Sequence, residues 1–163
     1  VLGLPFAFAA HFAPTYLEEA LHLYNTHFKP SRYLKEPYAL ACVNVIAAPT
    51  DAAAETLATS FYRLALGLIR NNRQPLQPPV SNMDGLWNEG EQAAVQHMMQ
   101  YSFVGGGATV QQKLQAFLET TGVNEIMVAS HIYDVAAKKK SYEIIAPFFK
   151  TTQPIEANQN SVA

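Results

Sequence analysis

Short, continuously apolar runs alternate with longer amphipathic stretches along this chain of 163 residues. Three runs have the apolar character of strands that are buried on both faces, and they cover residues 6–10, 38–48 and 125–130. Each is followed by a stretch with helical periodicity. Strands that alternate with helices in this way predict an α/β fold with a parallel sheet.

Local signals place the ends of the predicted helices. Pro14 suits the first turn of a helix that runs to about residue 28, because its missing N–H would have no partner there. Thr50 or Asp51 can cap the next helix through a side-chain oxygen, and Gly122 stands where a third long helix ends. Residues 102–109 are predicted to lead into that third helix, and a last helix follows residue 131.

A shorter helix is predicted over residues 91–100, after a proline-rich connector at residues 74–80. Its apolar positions are Val95, Met98 and Met99. Methionines at such spacing fill gaps in a core more often than they contact a cofactor. We therefore predict that this helix packs on the domain.

Three parallel strands would leave a free edge on each side of the sheet. The chain also has no initiator Met and starts at the edge of its first strand. We expect a start inside a longer protein, with the sheet completed by missing chain or by a second copy. Residues 1–150 are predicted to form the folded part, and the polar residues 151–163 a loose tail.

Composition narrows the function classes. Apolar residues make up 49% of the chain and charged residues 15%, which argues against disorder. The net charge of −2 and a pI of about 6.2 lack the basic face of a nucleic-acid binder. The lysine run at residues 138–140 is interpreted as a solvated helix face, with a docking patch for an acidic partner as the alternative. No segment resembles a membrane span.

The single cysteine, Cys42, lies within the second apolar run. One cysteine forms no internal disulfide, which fits a reducing compartment, so a cytoplasmic protein is expected. The interpretation of Cys42 itself is a small residue of the core.

Two of the five histidines lie where ligands gather in parallel βα folds, at the carboxyl ends of strands. His11 follows the first strand and His131 the third, so both are candidates for binding or proton transfer. The alternative is that each imidazole caps a helix or bonds a neighbouring carbonyl. Asn44 is a lone amide in a buried strand and must find partners, either a polar ligand or another core group. The remaining histidines are expected at the surface of helices: His22, His27 and His97.

The glycines at residues 105–107 precede a helix and could cradle a phosphate through backbone N–H groups and the helix dipole. They lack both the dinucleotide-binding spacing and the lysine of a P-loop, so a plain helix start is the favoured alternative. The sequence shows neither metal-ligand spacing nor a serine–histidine–aspartate pattern, and no metal is expected.

Four segments resemble bacterial-luciferase-like, flavin-dependent monooxygenases. Residues 3–14 (GLPFAFAAHFAP) are similar to the sixth strand of that family, and residues 43–51 (VNVIAAPTD) to the seventh strand and the helix cap that follows. Residues 102–110 resemble the lead-in to the last barrel helix, and residues 125–134 (EIMVASHIYD) the eighth strand. The segments occur in the family's order up to about Phe149. The resemblance implies a partial (β/α)8 TIM barrel made of its last three strand–helix units.

The same resemblance implies a function and a set of site residues. Full members of the family bind reduced FMN, with NAD(P)H as the ultimate reductant, and use O2 on a small organic substrate. Their flavin lies across the carboxyl-terminal mouth of the barrel. Catalytic residues are not assigned, and the residues expected to bind the cofactor are Phe8, Ala10, His11, Asn44, His131 and Tyr133.

The chain departs from the family in that it begins after the fifth strand, whose loop usually contributes to the flavin phosphate site. We therefore expect the chain alone to bind FMN weakly or not at all and to be inactive. Three readings remain open: part of a monooxygenase, a non-catalytic relative acting as a flavin-binding or dimerisation module, and an unrelated small α/β domain. A homo-oligomer is expected, through strand edges or barrel helices.

Overall fold

A computed structural model describes residues 2–12 and 14–149, so the predicted tail lies outside the described residues. The strands and helices follow one another in the order expected of βα units. They are β1 (Phe6–Phe8), α1 (Leu17–His27), β2 (Ala39–Ala48), α2 (Asp51–Ile69), α3 (Glu89–Met98), β3 (Ser102–Gly106), α4 (Gly107–Thr121), β4 (Glu125–Ala129) and α5 (Val135–Ile145). Short 3-10 turns occur at Pro14–Tyr16 and Ala146–Phe149.

The ten-residue strand β2 is the centre of a four-stranded sheet in which every pairing is parallel, as predicted. One edge of β2 pairs first with β1, at Ala39–Ala41, and then with β3, at Asn44–Ala48. The opposite edge pairs with β4 over Leu40–Asn44. Thus β1 and β3 follow one another along the same edge of the longest strand.

The strand β3 was not predicted, since residues 102–106 were expected only to lead into a helix. The segment contains two consecutive large apolar residues, Phe103 and Val104, before its glycines, which is too short a run to mark a strand. Without β3, the last five residues of β2 would have no strand beside them on the edge that pairs with β1. The strand β3 provides partners for their backbone groups. Tertiary pairing therefore decides the conformation of this segment.

The two faces of β2 contact different helices because successive side chains of a strand point to opposite faces. The face that carries Val43 and Val45 belongs to the main hydrophobic cluster with α1, α4 and α5, whose buried residues include Leu17, Leu114 and Ile145. The face that carries Ile46 and Ala48 packs against α2 through Ala54 and Ala58. The carboxyl half of β2 is thus covered on both sides, which explains its unbroken apolar sequence.

The amino half of the second face is open in the described part of the chain. Cys42 is only half-buried, and its neighbour in the register, Met127, is 55% exposed. Ala7 of β1 is exposed on the same face. Within residues 2–12 and 14–149, β1 and β4 each pair with β2 alone, so their outer edges are unpaired. This α/β arrangement is consistent with a partial barrel.

Several local predictions are confirmed. The hydroxyl of Thr50 accepts a hydrogen bond from the backbone N–H of Ala53 at 3.2 Å, and Gly122 ends α4 in the left-handed conformation with φ of 64°. Val95 and Met99 are buried in a cluster that joins α3 to α2. In the described part of the chain, no helix has the length and apolarity needed to cross a bilayer.

Candidate functional site

Three predicted site residues come together where β1 and β4 end beside the middle of β2. His11 follows β1, Asn44 lies within β2, and His131 follows β4. The imidazole rings of His11 and His131 lie with their centroids 6.2 Å apart and their planes inclined by 30°. The parallel sheet therefore joins residues that are remote in sequence, as the strand-end rule predicts.

Asn44 is fully buried and binds His131 twice. Its Oδ1 accepts hydrogen bonds from the backbone N–H of His131 at 3.1 Å and from the ring Nδ1 at 3.0 Å. Because an amide oxygen only accepts, Nδ1 must carry the proton, and Nε2 of the neutral ring is left as a hydrogen-bond acceptor. The observed partner of Asn44 is thus another group of the protein, and that group is itself a predicted site residue.

Two buried polar atoms at this strand end have no hydrogen-bond partner within the described residues. They are Nδ2 of Asn44 and Oγ of Ser130, which immediately precedes His131. A buried donor without a partner costs about 1–3 kcal/mol. Such atoms occur where a ligand or water completes the bonding, and Oγ of Ser60 in α2 is a third one among the described residues.

An aromatic side chain from α2 fixes the other face of His131. The ring of Phe61 stacks on the imidazole with centroids 4.4 Å apart and an angle of 11° between the planes. Burial lowers the pKa of His131 below its usual value of 6.5, and the nearby charges of His11 and Lys138 act in the same direction. His131 is therefore neutral at pH 7, with an acceptor at Nε2.

His11 is held by the backbone of β2. The backbone N–H of His11 donates to the carbonyl oxygen of Cys42 at 2.9 Å, and the ring Nδ1 lies 3.2 Å from the same oxygen. The alternative that this imidazole bonds a neighbouring carbonyl is thus observed. The contact fixes the ring beside His131 and leaves Nε2 for another partner.

The two imidazoles border a cavity of about 500 Å³. Its walls are mostly apolar and are formed by the side of α2, by α3 and by the turn after β1. Its lining includes His11, His131, Phe61, Leu64, Leu68 and Arg73. A concave, mostly apolar space with a few convergent polar groups is the usual form of a small-molecule site.

The other three predicted site residues lie elsewhere. Phe8 packs against the main hydrophobic cluster, Ala10 is fully buried within it, and neither lines the cavity. Tyr133 is 49% exposed and is also not part of the cavity wall. In the strand β1, the side chain of Phe8 points toward the helices rather than toward the open face that carries Ala7.

Sequence reasoning missed the contribution of α2 and α3 to the site. Phe61, Leu64 and Leu68 recur at helical spacing in the sequence, a pattern that indicates the inward face of a helix. Periodicity tells that a residue faces inward, but it does not tell whether the residue faces a packed core or a cavity. Arg73 carried no sequence signal at all.

The glycine segment forms a plain helix start, and a carboxylate occupies the place that a phosphate would need. The N–H of Gly106 donates to Oδ1 of Asp51 at 2.5 Å, and the hydroxyl of Thr109 donates to Oδ2 at 3.1 Å. These bonds lower the pKa of Asp51, with the Gly106 N–H as the largest cause. A Cβ at Gly105 would lie 2.9 Å from the Asp51 carboxylate, so the close approach requires glycine. The phosphate alternative is therefore wrong for this segment.

Comparison with known proteins gives relatives over most of the chain. No family model matches it. A luciferase-like monooxygenase of Escherichia coli (strain K12) is 47% identical over 143 residues, which is 88% of this chain and 43% of the relative. The uncharacterized protein YvbT of Bacillus subtilis (strain 168) is 46% identical over 149 residues, 91% of this chain and 44% of the relative. The chain thus spans less than half the length of these relatives.

Solved structures with the same fold agree. Apo-MsnO8 superposes with a TM-score of 0.74 and 26% identity, over 94% of this chain and 47% of that one. The oxygenating constituent of 3,6-diketocamphane monooxygenase from the CAM plasmid of Pseudomonas putida, a type II Baeyer–Villiger monooxygenase in complex with FMN, gives 0.51 and 18% identity, covering 91% of this chain and 49% of that one. The second likeness concerns the fold alone. With the sequence identities and the order of strands and helices, the predicted resemblance is confirmed, and the chain belongs to the luciferase-like monooxygenase family.

Proposed function

We propose that this chain supplies part of the flavin and substrate site of an FMN-dependent monooxygenase that uses O2 on a small organic molecule. The observation that carries the proposal is the convergence of His11, Asn44 and His131 beside a mostly apolar cavity. Membership of a family whose relatives are named monooxygenases supports the reaction class.

The residues present fit a flavin ring system. Such a ring is flat and apolar with hydrogen-bonding atoms along one edge. The rings of Phe61 and His131 line the cavity, and Nε2 of His131 is an acceptor there, whereas Asn44 is fully buried and acts by holding His131. We propose that these groups, with His11, hold the edge of the ring, and that Phe8, Ala10 and Tyr133 act more remotely through the strand ends that carry them.

Bound reduced FMN would supply the electrons that activate O2, with NAD(P)H as their ultimate source. The residues of this chain would position the bound groups and shield them from water. Asn44 holds the proton on Nδ1 of His131, so that Nε2 is free to accept a proton from a bound group. Phe61, Leu64 and Leu68 exclude water from one side of the cavity, which strengthens the electrostatic interactions within it.

We propose that the remaining strands of the barrel come from further chain or from a second copy. The free outer edges of β1 and β4 and the exposed Met127 support this part of the proposal, since unpaired edges recruit partners. The same observations favour the second candidate function, a non-catalytic relative that binds flavin or dimerises. We expect a cytoplasmic protein that forms a homo-oligomer.

Two measurements test the proposal. Titration of the 163-residue chain with FMN should show no quenching of flavin fluorescence at micromolar concentrations, because the phosphate site is incomplete. A chain extended to the full length of the relatives should consume O2 in the presence of reduced flavin. Micromolar binding by the short chain would favour the flavin-binding module, and an extended chain that binds FMN without consuming O2 would rule out the monooxygenase.

A further inference from the structure

We propose that the cavity selects an organic substrate with an elongated apolar body and a carboxylate at the end remote from the histidines, where Arg73 binds it. The proposal rests on the function given above, because it concerns the same cavity. It adds the class of substrate and the residue that recognises it.

The two polar ends of the cavity are separated along α2. Phe61, Leu64 and Leu68 line the cavity and recur at intervals of three and four residues, so they form one face of the helix. Phe61 stacks on His131 at one end of this face. Seven residues separate Phe61 from Leu68, a span of roughly 10 Å at a rise of 1.5 Å per residue. Arg73 follows the end of the helix, beyond Leu68.

Arg73 differs from its neighbouring arginines in having no partner among residues 2–12 and 14–149. Arg63 donates to the carbonyl oxygen of Pro78 at 2.8 Å, and Arg70 binds both carboxylate oxygens of Glu91 at 2.7 and 2.8 Å. Arg73 makes no such contact, although it lines the cavity. No acidic residue belongs to the cavity wall in the described part of the chain. Arg73 is exposed, so it places at the rim of the cavity a positive charge that no acidic wall residue of the described chain compensates.

This arrangement orients a ligand in one direction. A guanidinium binds a carboxylate through two parallel hydrogen bonds, and the apolar wall favours burial of a hydrocarbon body. His131 is neutral, with an acceptor rather than a charge at its free nitrogen, and so it does not compete for the anionic end. The opposite end of the ligand is then placed beside the two imidazoles, where the proposed reaction takes place.

A flavin phosphate shares the essential chemistry, since it too is an anion attached to a largely apolar ring system. The two sources are distinguished by ligands that differ only in the anionic group. Octanoate and octanol form one such pair, and FMN and riboflavin form the other. The substrate proposal requires Arg73 to be the cause of tighter binding of octanoate than of octanol.

The first experiment measures the binding of octanoate and octanol to the 163-residue chain by calorimetry, without flavin. We expect octanoate to bind roughly tenfold more tightly than octanol, as one charge-assisted ion pair provides. Arg73→Gln should abolish the preference, and Arg73→Lys should keep part of it. Arg32→Gln is the matched control and should change neither affinity, because Arg32 is exposed and lies over the ring of Tyr33. Circular dichroism confirms the fold of each variant.

The second readout asks whether the ligand fills the cavity or only touches the arginine. Octanoate should shift the NMR resonances of the His131 ring at the far end, and Arg73→Gln should reduce that shift at equal ligand concentration. Equal binding of octanoate and octanol, an octanoate preference that survives Arg73→Gln, or no response of His131 would each overturn the proposal. So would a selective loss of FMN over riboflavin binding by Arg73→Gln in a chain extended to the full length of the relatives, with octanoate binding unaffected. None of these outcomes depends on flavin-linked O2 uptake, so they are separate from the test of the proposed function.

Discussion

Two small polar clusters lie near the carboxyl end of β2, and they differ in how completely their hydrogen bonds are satisfied. At the junction of α2 and α4, both oxygens of the Asp51 carboxylate accept hydrogen bonds, from Gly106 and Thr109. At the histidine cluster, Asn44 is fully buried and its Nδ2 has no partner in the described part of the chain. A cluster that satisfies its own hydrogen bonds stabilises the fold fully, whereas an unused buried donor reduces that contribution. The predictions below test this difference.

The largest effect is expected from Asn44→Ala. The substitution removes the acceptor for two N–H groups of His131 in a buried setting and leaves a small void, so the free energy of unfolding should fall by about 2–3 kcal/mol. Urea denaturation measures it. Asn25→Ala on the exposed face of α1 is the control and should stay within about 0.5 kcal/mol. A change as small as that of the control would show that Asn44 does not hold His131.

A second test concerns the ring that covers His131. Phe61→Leu removes the stacked aromatic partner and should cost about 1 kcal/mol from the lost ring contact. The pKa of His131 should rise toward 6.5, because burial is the main cause of its depression. An NMR titration of the imidazole measures the pKa, and Leu23→Ala on the exposed surface of α1 should leave it unchanged. A pKa that stays low in Phe61→Leu would contradict the role given to that ring.

The contributions of the two clusters to the free energy of unfolding should be lost in different ranges of pH. The pKa of His131 is lowered in the folded protein, so the unfolded chain binds a proton first, and stability falls as the pH drops below about 6.5. The pKa of Asp51 is also lowered, so its contribution is present above 3.8 and is lost as the pH falls below that value.

Unfolding measured as a function of pH separates these contributions. His131→Gln should flatten the profile near pH 6.5, and Asp51→Asn should flatten only the part below about pH 4. Asp84→Asn is the control for the second variant, since no hydrogen bond or ion pair involves the Asp84 carboxylate in the described part of the chain. If both variants flattened the same range, the two clusters would not be independent.

The smallest effect is expected at the lysine run on α5. Lys140 and Glu143 form an exposed ion pair at 3.2 Å, with both side chains about half accessible. Lys140→Gln should change the free energy of unfolding by less than about 0.5 kcal/mol, since such pairs contribute little in water. Thermal unfolding at low and high salt checks this. A larger, salt-dependent loss would show that this ion pair stabilises the fold and would contradict the interpretation of the run as a merely solvated face.

The strand-end rule found the histidines of the site, and it did so because parallel strands place their carboxyl ends at one edge. The family resemblance also selected Phe8 and Tyr133, which the structure leaves outside the cavity wall. The difference depends on the direction of each side chain. A rule about position in a strand carries no information on which face a residue occupies at an irregular strand end.

The sequence by itself determined the parallel α/β fold, the order of its helices and most of its strands, and the place of His11, Asn44 and His131. Apolar periodicity and the residues that start and stop helices are local properties, so they can be read along the chain. Tertiary structure alone decided that residues 102–106 form a strand, that α2 covers the imidazole of His131, and that Arg73 lies at the end of the same cavity. These features depend on contacts between segments far apart in sequence, where pairing and packing override what each segment specifies locally.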